Sequence, residues 1–193
     1  MNQIIENYQK YKWFFTSTNK LVVGGKNSAQ NDDLMKSILS SKKEFIIMHT
    51  HSPGSPFSVI ISDISKVTDE DLKEAAIFTA CFSKQWKSGK SKAEIDIFRT
   101  SQLAKAKNMK QGTWGVIGKV KTMVVPLTLV LAKQKSILRA VPEEATKDYL
   151  IKLVPGKMNK DEFALKLHLE LKEKFSKEEI LMAIPSGGFK ISR

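Results

Sequence analysis

The residues best suited to chemistry lie between Glu44 and Asp63. His49-Thr50-His51 sets two imidazoles two residues apart, with Glu44 upstream and Ser58 and Asp63 downstream. Two imidazoles and a carboxylate are the donor set of a catalytic zinc, and a further glutamate would activate the metal-bound water. A second group has no nucleophile but much charge. Arg99 to Lys121, RTSQLAKAKNMKQGTWGVIGKVK, holds six basic residues and no acid, and ends in Gly112, Trp114, Gly115 and Gly118. That mixture suits an anionic polymer: point charges for phosphates, free backbone N–H groups at glycines, and an aromatic face for a base.

The first group resembles the JAB-type zinc hydrolases, whose pattern is H-x-H, seven residues, then S-x-x-D. The register fails here. The serine position falls on Val59 and the aspartate position on Ser62, while Ser58 and Asp63 stand five apart. A JAB-like zinc hydrolase is therefore the remotest functional reading. Structural zinc is not expected either, because the chain has three histidines and one cysteine, and His168 lies far along in the C-terminal part. His49 reads as a hydrogen-bonded residue at a strand end, or as a nucleic-acid contact beside the Gly54 turn. Cys81, between Ala80 and Phe82 on a helical pattern, reads as a buried structural thiol. Neither Gly24-Gly25 nor Gly187-Gly188 forms a phosphate-cradling loop pattern, so no nucleotide cofactor is implied.

The charge distribution favours the second group. The net charge is +12, and residues 75–142 carry 13 basic and two acidic groups, leaving +1 for the rest of the chain. No acid occurs in the 46 residues between Asp96 and Glu143. A solvated lysine-rich face is the ordinary fate of such a run, but the exclusion of carboxylates points to a localised anionic partner. With 41% apolar and 27% charged residues, the composition is that of a globular protein. No apolar run reaches membrane-spanning length, the N-terminus lacks a signal-peptide core, and one cysteine excludes an internal disulfide; a cytoplasmic location follows as the expectation.

The elements that must position these groups are an α+β set. After a short lead-in, Trp13 to Ser17 and Leu21 to Val23 read as a hairpin around Asn19, which tolerates left-handed backbone. A helix follows over Asn27 to Leu39. Phe45 to Met48 is a continuous apolar run, predicting a strand covered on both faces, and Phe57 to Ile61 is another strand. Thr68-Asp69-Glu70-Asp71 resembles a capping box and opens a helix predicted to reach Lys87, with Phe78, Phe82 and Trp86 as a core stripe. Ile95 to Phe98, Trp114 to Val120 and Met123 to Leu131 read as strands, with Pro126 at an edge or bulge. From Lys133 the charges balance and the pattern turns helical: Asn159 opens one helix and Ser176-Lys177-Glu178-Glu179 a second. The expected architecture is a mixed sheet with packed helices over residues 1–135, then a small helical C-terminal extension over 136–193.

Several patches, in order, resemble the NFACT-R module, the RNA-binding domain of NFACT proteins. They are Trp13-Phe14 with Ser17, Leu21 to Leu34 (LVVGGKNSAQNDDL), His49 with Gly54, Leu72 to Lys87, Ser101 to Lys105 and Gly112 to Lys121. Two positions depart from the pattern: His51 stands where many members have aspartate, and Asn19-Lys20 replaces a glycine-containing turn. The resemblance implies non-catalytic RNA binding, with tRNA or the large ribosomal subunit as partner, in translation or ribosome-associated quality control. It implies no established catalytic activity; with no metal set and no phosphate-cradling loop in the sequence, no cofactor and no metal are expected. An RNA-modification enzyme or its RNA-binding subunit is the alternative. The expected footprint is Lys26, Gln30, Asn31, His49, Gly54, Arg99, Lys105, Lys107, Gly112, Gly118, Lys119 and Lys121.

Overall fold

A computed structural model describes residues 2–192. The chain opens with α1 (Asn2–Glu6), then β1 (Lys12–Phe15), β2 (Leu21–Gly24), α2 (Ser28–Ser40), β3 (Ile46–Thr50) and β4 (Ser58–Ile61). It continues with α3 (Asp69–Cys81), α4 (Lys84–Lys87), β5 (Lys92–Arg99), the two-residue strands β6 (Leu103–Ala104) and β7 (Gly115–Val116), and β8 (Lys121–Pro126). The last part holds β9 (Leu129–Gln134), β10 (Ile137–Val141), β11 (Ile151–Met158), α5 (Lys160–Glu170), α6 (Lys177–Ala183) and β12 (Phe189–Ser192).

The class is α+β, as expected. The main sheet has six strands in the order β1-β2-β4-β3-β5-β8. Every pairing in it is antiparallel, and the apolar run at Phe45 to Met48 leads into β3, which has a strand on each side. Two-sided burial explains that run without parallel pairing. Residues of alternating parity face opposite layers. Phe14, Val22, Met48, Ile60, Ile95 and Ile97 pack with the α3 residues Ala75 to Cys81. Trp13, Leu21, Val23, Ile47, Val59 and Phe98 pack with Leu34, Met35 and Ile38 of α2.

Local signals set the helix starts. Asn27 accepts from the Gln30 N–H, Thr68 and Asp71 form a reciprocal capping box, and Ser176 with Glu179 forms another. Asn19 has φ of 63°, the left-handed turn its type allows. The helix predicted through Lys87 instead breaks at Ser83, whose hydroxyl caps α4 by accepting from the Gln85 N–H at 3.0 Å. The break frees the Lys84 N–H for the Gly54 carbonyl, at 2.8 Å. Phe78, Phe82 and Trp86 remain in the core.

Three other expectations change. The strand over Trp114 to Val120 shrinks to β7, because Gly118 turns at φ of 81° and Gln102 Nε2 donates to the carbonyls of Ile117 and Lys119 in place of a strand ladder. The run Met123 to Leu131 is two strands in different sheets, parted after Pro126 on the edge strand β8. The C-terminal part contains the two expected helices but is not purely helical. β9, β10, β11 and β12 form a second antiparallel sheet in the order β10-β9-β11-β12. Pro155 and Gly156 mask β11 in the sequence, and its pairing with β12 joins residues more than thirty positions apart, beyond the reach of a local pattern.

The two sheets share one core. Phe163, Leu167, Ile180 and Phe189 from the C-terminal part pack in the same cluster as Phe78 and Trp86. The position 135/136 falls on the two-residue turn of the β9–β10 hairpin, Lys135 and Ser136, both at positive φ. At the seam, the side-chain amide of Gln134 binds the open edge of β1: its Oε1 accepts from the Phe15 N–H and its Nε2 donates to the Phe15 carbonyl, both at 2.7 Å. Replacing Gln134 with Leu leaves that N–H and carbonyl unsatisfied in a half-buried place. The expected loss is about 2 kcal/mol of unfolding free energy, checked by urea denaturation.

Candidate nucleic-acid interface

The α2 face of the sheet is not covered to its end. At that end His49 of β3 and Asp96 of β5 are half-buried, beside the buried Phe98. His49 and Asp96 are register partners. The β3–β4 loop (51–57) forms one wall and the segment 112–116 the other. Between them lies a cleft of about 380 Å³ lined by His49, His51, Gly54, Phe57, Gly112 and Trp114, among others. The structure thus brings His49, Gly54 and Gly112 together from the expected footprint, and adds His51, Asp96, Phe57 and Trp114.

The second wall is held by one buried carboxylate. Asp32, 6% exposed in the second turn of α2, accepts from Trp114 Nε1 at 2.8 Å, from Lys105 Nζ at 3.1 Å and from the Gly112 N–H. Burial pushes this carboxyl up, but the three hydrogen bonds and the Lys105 charge outweigh burial and hold it below the ordinary aspartate value. Lys105 also donates to the carbonyls of Lys110 and Thr113, at 3.0 and 2.7 Å, and its ammonium lies 5.0 Å from the centre of the Trp114 ring. Its donors are thereby engaged inside the loop, so Lys105 shapes the wall rather than offering an uncommitted charge. Gly112 turns at φ of 77°, and a Cβ there would stand 2.6 Å from the Ser28 Cβ. Close packing on α2, not backbone access for a ligand, accounts for this glycine.

The polar residues of the Gly24-Gly25 patch do similar work. Gly25 sits so close to Asn31 that a Cβ would stand 2.2 Å from its Oδ1. That oxygen accepts from the Phe57 N–H at 3.3 Å, which fixes the root of the first wall. Gln30 Oε1 accepts from the Lys26 N–H at 3.0 Å. Gln30 and Asn31 are thus internal fasteners, while the Lys26 side chain remains outside. Arg99, Lys107, Lys119 and Lys121 are exposed too. Gly118 is exposed in the turn that Gln102 holds.

The histidines differ in state. His49 Nδ1 lies 2.7 Å from the Thr50 carbonyl, which makes Nδ1 the protonated nitrogen and leaves Nε2 as an acceptor. Its ring lies 4.6 Å from that of Phe57, and burial lowers its pKa, keeping it neutral. His51 is exposed. Its hydrogen bond to Asp96, 3.0 Å from Nδ1, raises its pKa above the ordinary value, helped by the charges of Asp96 and Glu94. Among the described residues, no three His, Cys, Asp or Glu side chains converge as a metal set. Cys81 is buried, and burial lifts its pKa well above the ordinary thiol value.

The sequence model of the NFACT protein RNA binding domain matches residues 10–118, more than half of the chain. The chain belongs to that family. The archaeal Rqc2 homolog aRqcH of Methanocaldococcus jannaschii is 28% identical over 199 residues, spanning 95% of this chain and 29% of that protein. The ribosome quality control complex subunit NEMF of mouse and of human is 29% identical over 80 residues, 41% of this chain and 7% of NEMF. The chain therefore spans less than a third of the length of these relatives. The C-terminal region of the fibronectin/fibrinogen-binding protein of Streptococcus suis has a similar fold, with a TM-score of 0.54 at 24% identity over 64% of this chain and 52% of that one. The matched NFACT residues include both walls of the cleft. The archaeal similarity reaches into the second sheet. No helix among the described residues is long and apolar enough to cross a membrane.

Removing the carboxylate should release the wall. In Asp32→Ala, amide exchange across 105–114 is expected to accelerate at least tenfold while β3 stays protected, as read by hydrogen–deuterium exchange. The same linkage has a pH sign. Because Asp32 has a lowered folded pKa, its stabilisation is present above the unfolded aspartate value of about 3.9 and fades as pH falls through the folded value. Wild type should therefore show an acid-range slope in stability that Asp32→Asn lacks, as read by urea denaturation across a pH series.

Proposed function

We propose that this NFACT domain binds RNA without catalysis, taking an unpaired base into the cleft and following the adjoining phosphates with Lys26, Lys107, Lys110, Lys119 and Lys121. The observation that carries the reading is the cleft wall itself. A half-buried Trp114 is fixed by a buried carboxylate at the edge of a loop that exposes lysines and no acids. Fixing the indole before binding reduces the ordering cost of stacking. His49 offers a ring face and a neutral acceptor beside it, and Gly54, at φ of 114°, has no room for a side chain next to Lys84. Gln30, Asn31, Lys105 and Gly112 act as positioning residues for this footprint, while Arg99 and Gly118 stand at its far end.

The names of the relatives support a place near the ribosome, and tRNA or the large ribosomal subunit is the proposed partner. The location follows as cytoplasmic. Five phosphate contacts predict a log–log salt slope of about −3.5 on single-stranded RNA. Neutralising Lys107, Lys119 and Lys121 together should flatten it by about 2 and weaken binding on all sequences. Trp114→Ala should cost about 1–3 kcal/mol of affinity with the slope unchanged. A wild-type slope near zero would overturn the reading. Filter binding across a chloride series measures all three, with tRNA and large-subunit rRNA fragments as competing ligands.

His51 adds a pH signature. Its raised pKa means that it gains charge as pH falls toward and past the ordinary histidine value of about 6.5, at the mouth of a site for an anion. Affinity for RNA should rise over that interval in wild type and stay level in His51→Asn.

A further inference from the structure

Asp96 lines the cleft, and a site for an anionic polymer has no obvious use for it. Residues 75–142 hold two acids, Glu94 and Asp96. Two residues apart on β5, they share one face of the sheet. Glu94 is exposed and lies outside the lining of the cleft. A carboxylate repels phosphates, so Asp96 works against the exposed lysines of the neighbouring loop.

Its surroundings show what it offers instead. Asp96 Oδ1 accepts from His51 Nδ1 at 3.0 Å, and the carboxylate takes no other hydrogen bond among the described residues. Its side chain is 24% exposed. An ionised carboxylate accepts about four hydrogen bonds, so Oδ2 and a lone pair of Oδ1 remain open to a ligand. His49, the register partner of Asp96 on β3, stands on the same face. Its Nδ1 donates to the Thr50 carbonyl at 2.7 Å, which leaves Nε2 as a further acceptor. The Thr50 hydroxyl is itself taken by the Ser52 carbonyl. The side chains that β3 and β5 bring to the cleft floor thus accept hydrogen bonds. The Trp114 wall adds a ring held in place by Asp32, with Lys105 over it.

The four bases differ in what they bring to such a floor. Guanine has two adjacent donors on one edge, N1–H and the N2 amine, which match the two oxygens of one carboxylate. Adenine and cytosine bring an amine beside an acceptor nitrogen, and uracil an N–H between two carbonyls. Each of these sets an acceptor against the carboxylate, and a site built around a hydrogen bond rejects a ligand that leaves it unmade. At about 380 Å³ the cleft has the size of a small-molecule pocket, which suits a single unstacked base.

We propose that Asp96 makes the cleft selective for an unpaired guanine, its two oxygens accepting from N1–H and the N2 amine while Trp114 stacks on the base. His51 acts on the same carboxylate as a positioning residue, because its hydrogen bond fixes Oδ1. The inference rests on the RNA-binding reading and adds the identity of the base to it.

The test uses the full chain and short single-stranded uridine RNAs whose central residue is uridine, guanosine, inosine, 1-methylguanosine, adenosine or cytidine, with binding read by fluorescence anisotropy. Inosine lacks the N2 amine, and 1-methylguanosine lacks the N1–H. Wild type should bind the guanosine RNA about tenfold more tightly than each of the others, an arm that needs no variant. In Asp96→Asn the amide supplies one acceptor in place of two, and the guanosine-to-inosine ratio should fall to about 1. Glu94→Gln removes the neighbouring charge on the same face and should keep the wild-type ratio. Each ratio is taken within one variant, so a general change in charge or stability cancels. Guanosine bound no better than inosine by wild type overturns the proposal and leaves RNA binding standing. A guanosine preference that survives in Asp96→Asn, or that Glu94→Gln abolishes equally, also overturns it. No binding of any of these RNAs removes the RNA-binding reading, and this inference with it.

Discussion

The Asp32 carboxylate is the constraint on which the functional face depends. It is nearly inaccessible to water, yet it remains charged because an indole N–H, an ammonium and a backbone N–H all point at it. A buried carboxylate with fewer donors would take up a proton or reject the loop. The consequence is geometric. A segment of ten residues with little regular structure, 105–114, acquires a fixed shape from one point on α2, and that shape is the cleft wall.

Around this point the chain uses polar side chains as fasteners. Asn31 ties the Gly25 turn to the root of the β3–β4 loop, and Gln102 closes the turn at Gly118. Asp71 accepts from Thr16 and Thr18, and Glu74 from Ser17, so the tip of the β1–β2 hairpin is held down on α3. Each fastener joins distant parts of the chain through a side chain, where a strand ladder would demand longer and more regular segments. The exposed lysines then extend from backbone whose position is already settled.

Much of this was legible locally. Thr68 and Ser176 as caps, Asn19 as a left-handed turn and the buried strand at Phe45 to Met48 follow from residue type and near neighbours. The meaning of the Gly24-Gly25 patch was not. Its polar residues seemed free for RNA because they lacked a core role in sequence, but Asp32 meets Lys105 and Trp114 at separations of 73 and 82 residues. No local period carries such information. The same reach hid the role of Lys105, which composition counted simply as one more positive charge. The second sheet was obscured differently: Pro155 and Gly156 interrupt β11, and the capped helices around it dominate the pattern.

The Gln134 amide against Phe15 bears on how the two sheets depend on each other. β1 is an edge strand with an apolar, aromatic sequence, KWFF, and an open edge of that kind pairs readily with another copy of itself. Gln134 fills the hydrogen-bonding positions at Phe15, and β10 lays Arg139 across Trp13. The C-terminal sheet therefore serves as a cover that keeps the six-stranded sheet from joining its neighbours edge to edge. A fragment cut at residue 118 to isolate the family-matched part would uncover this strand along with half of the shared core, and self-association would be its characteristic behaviour.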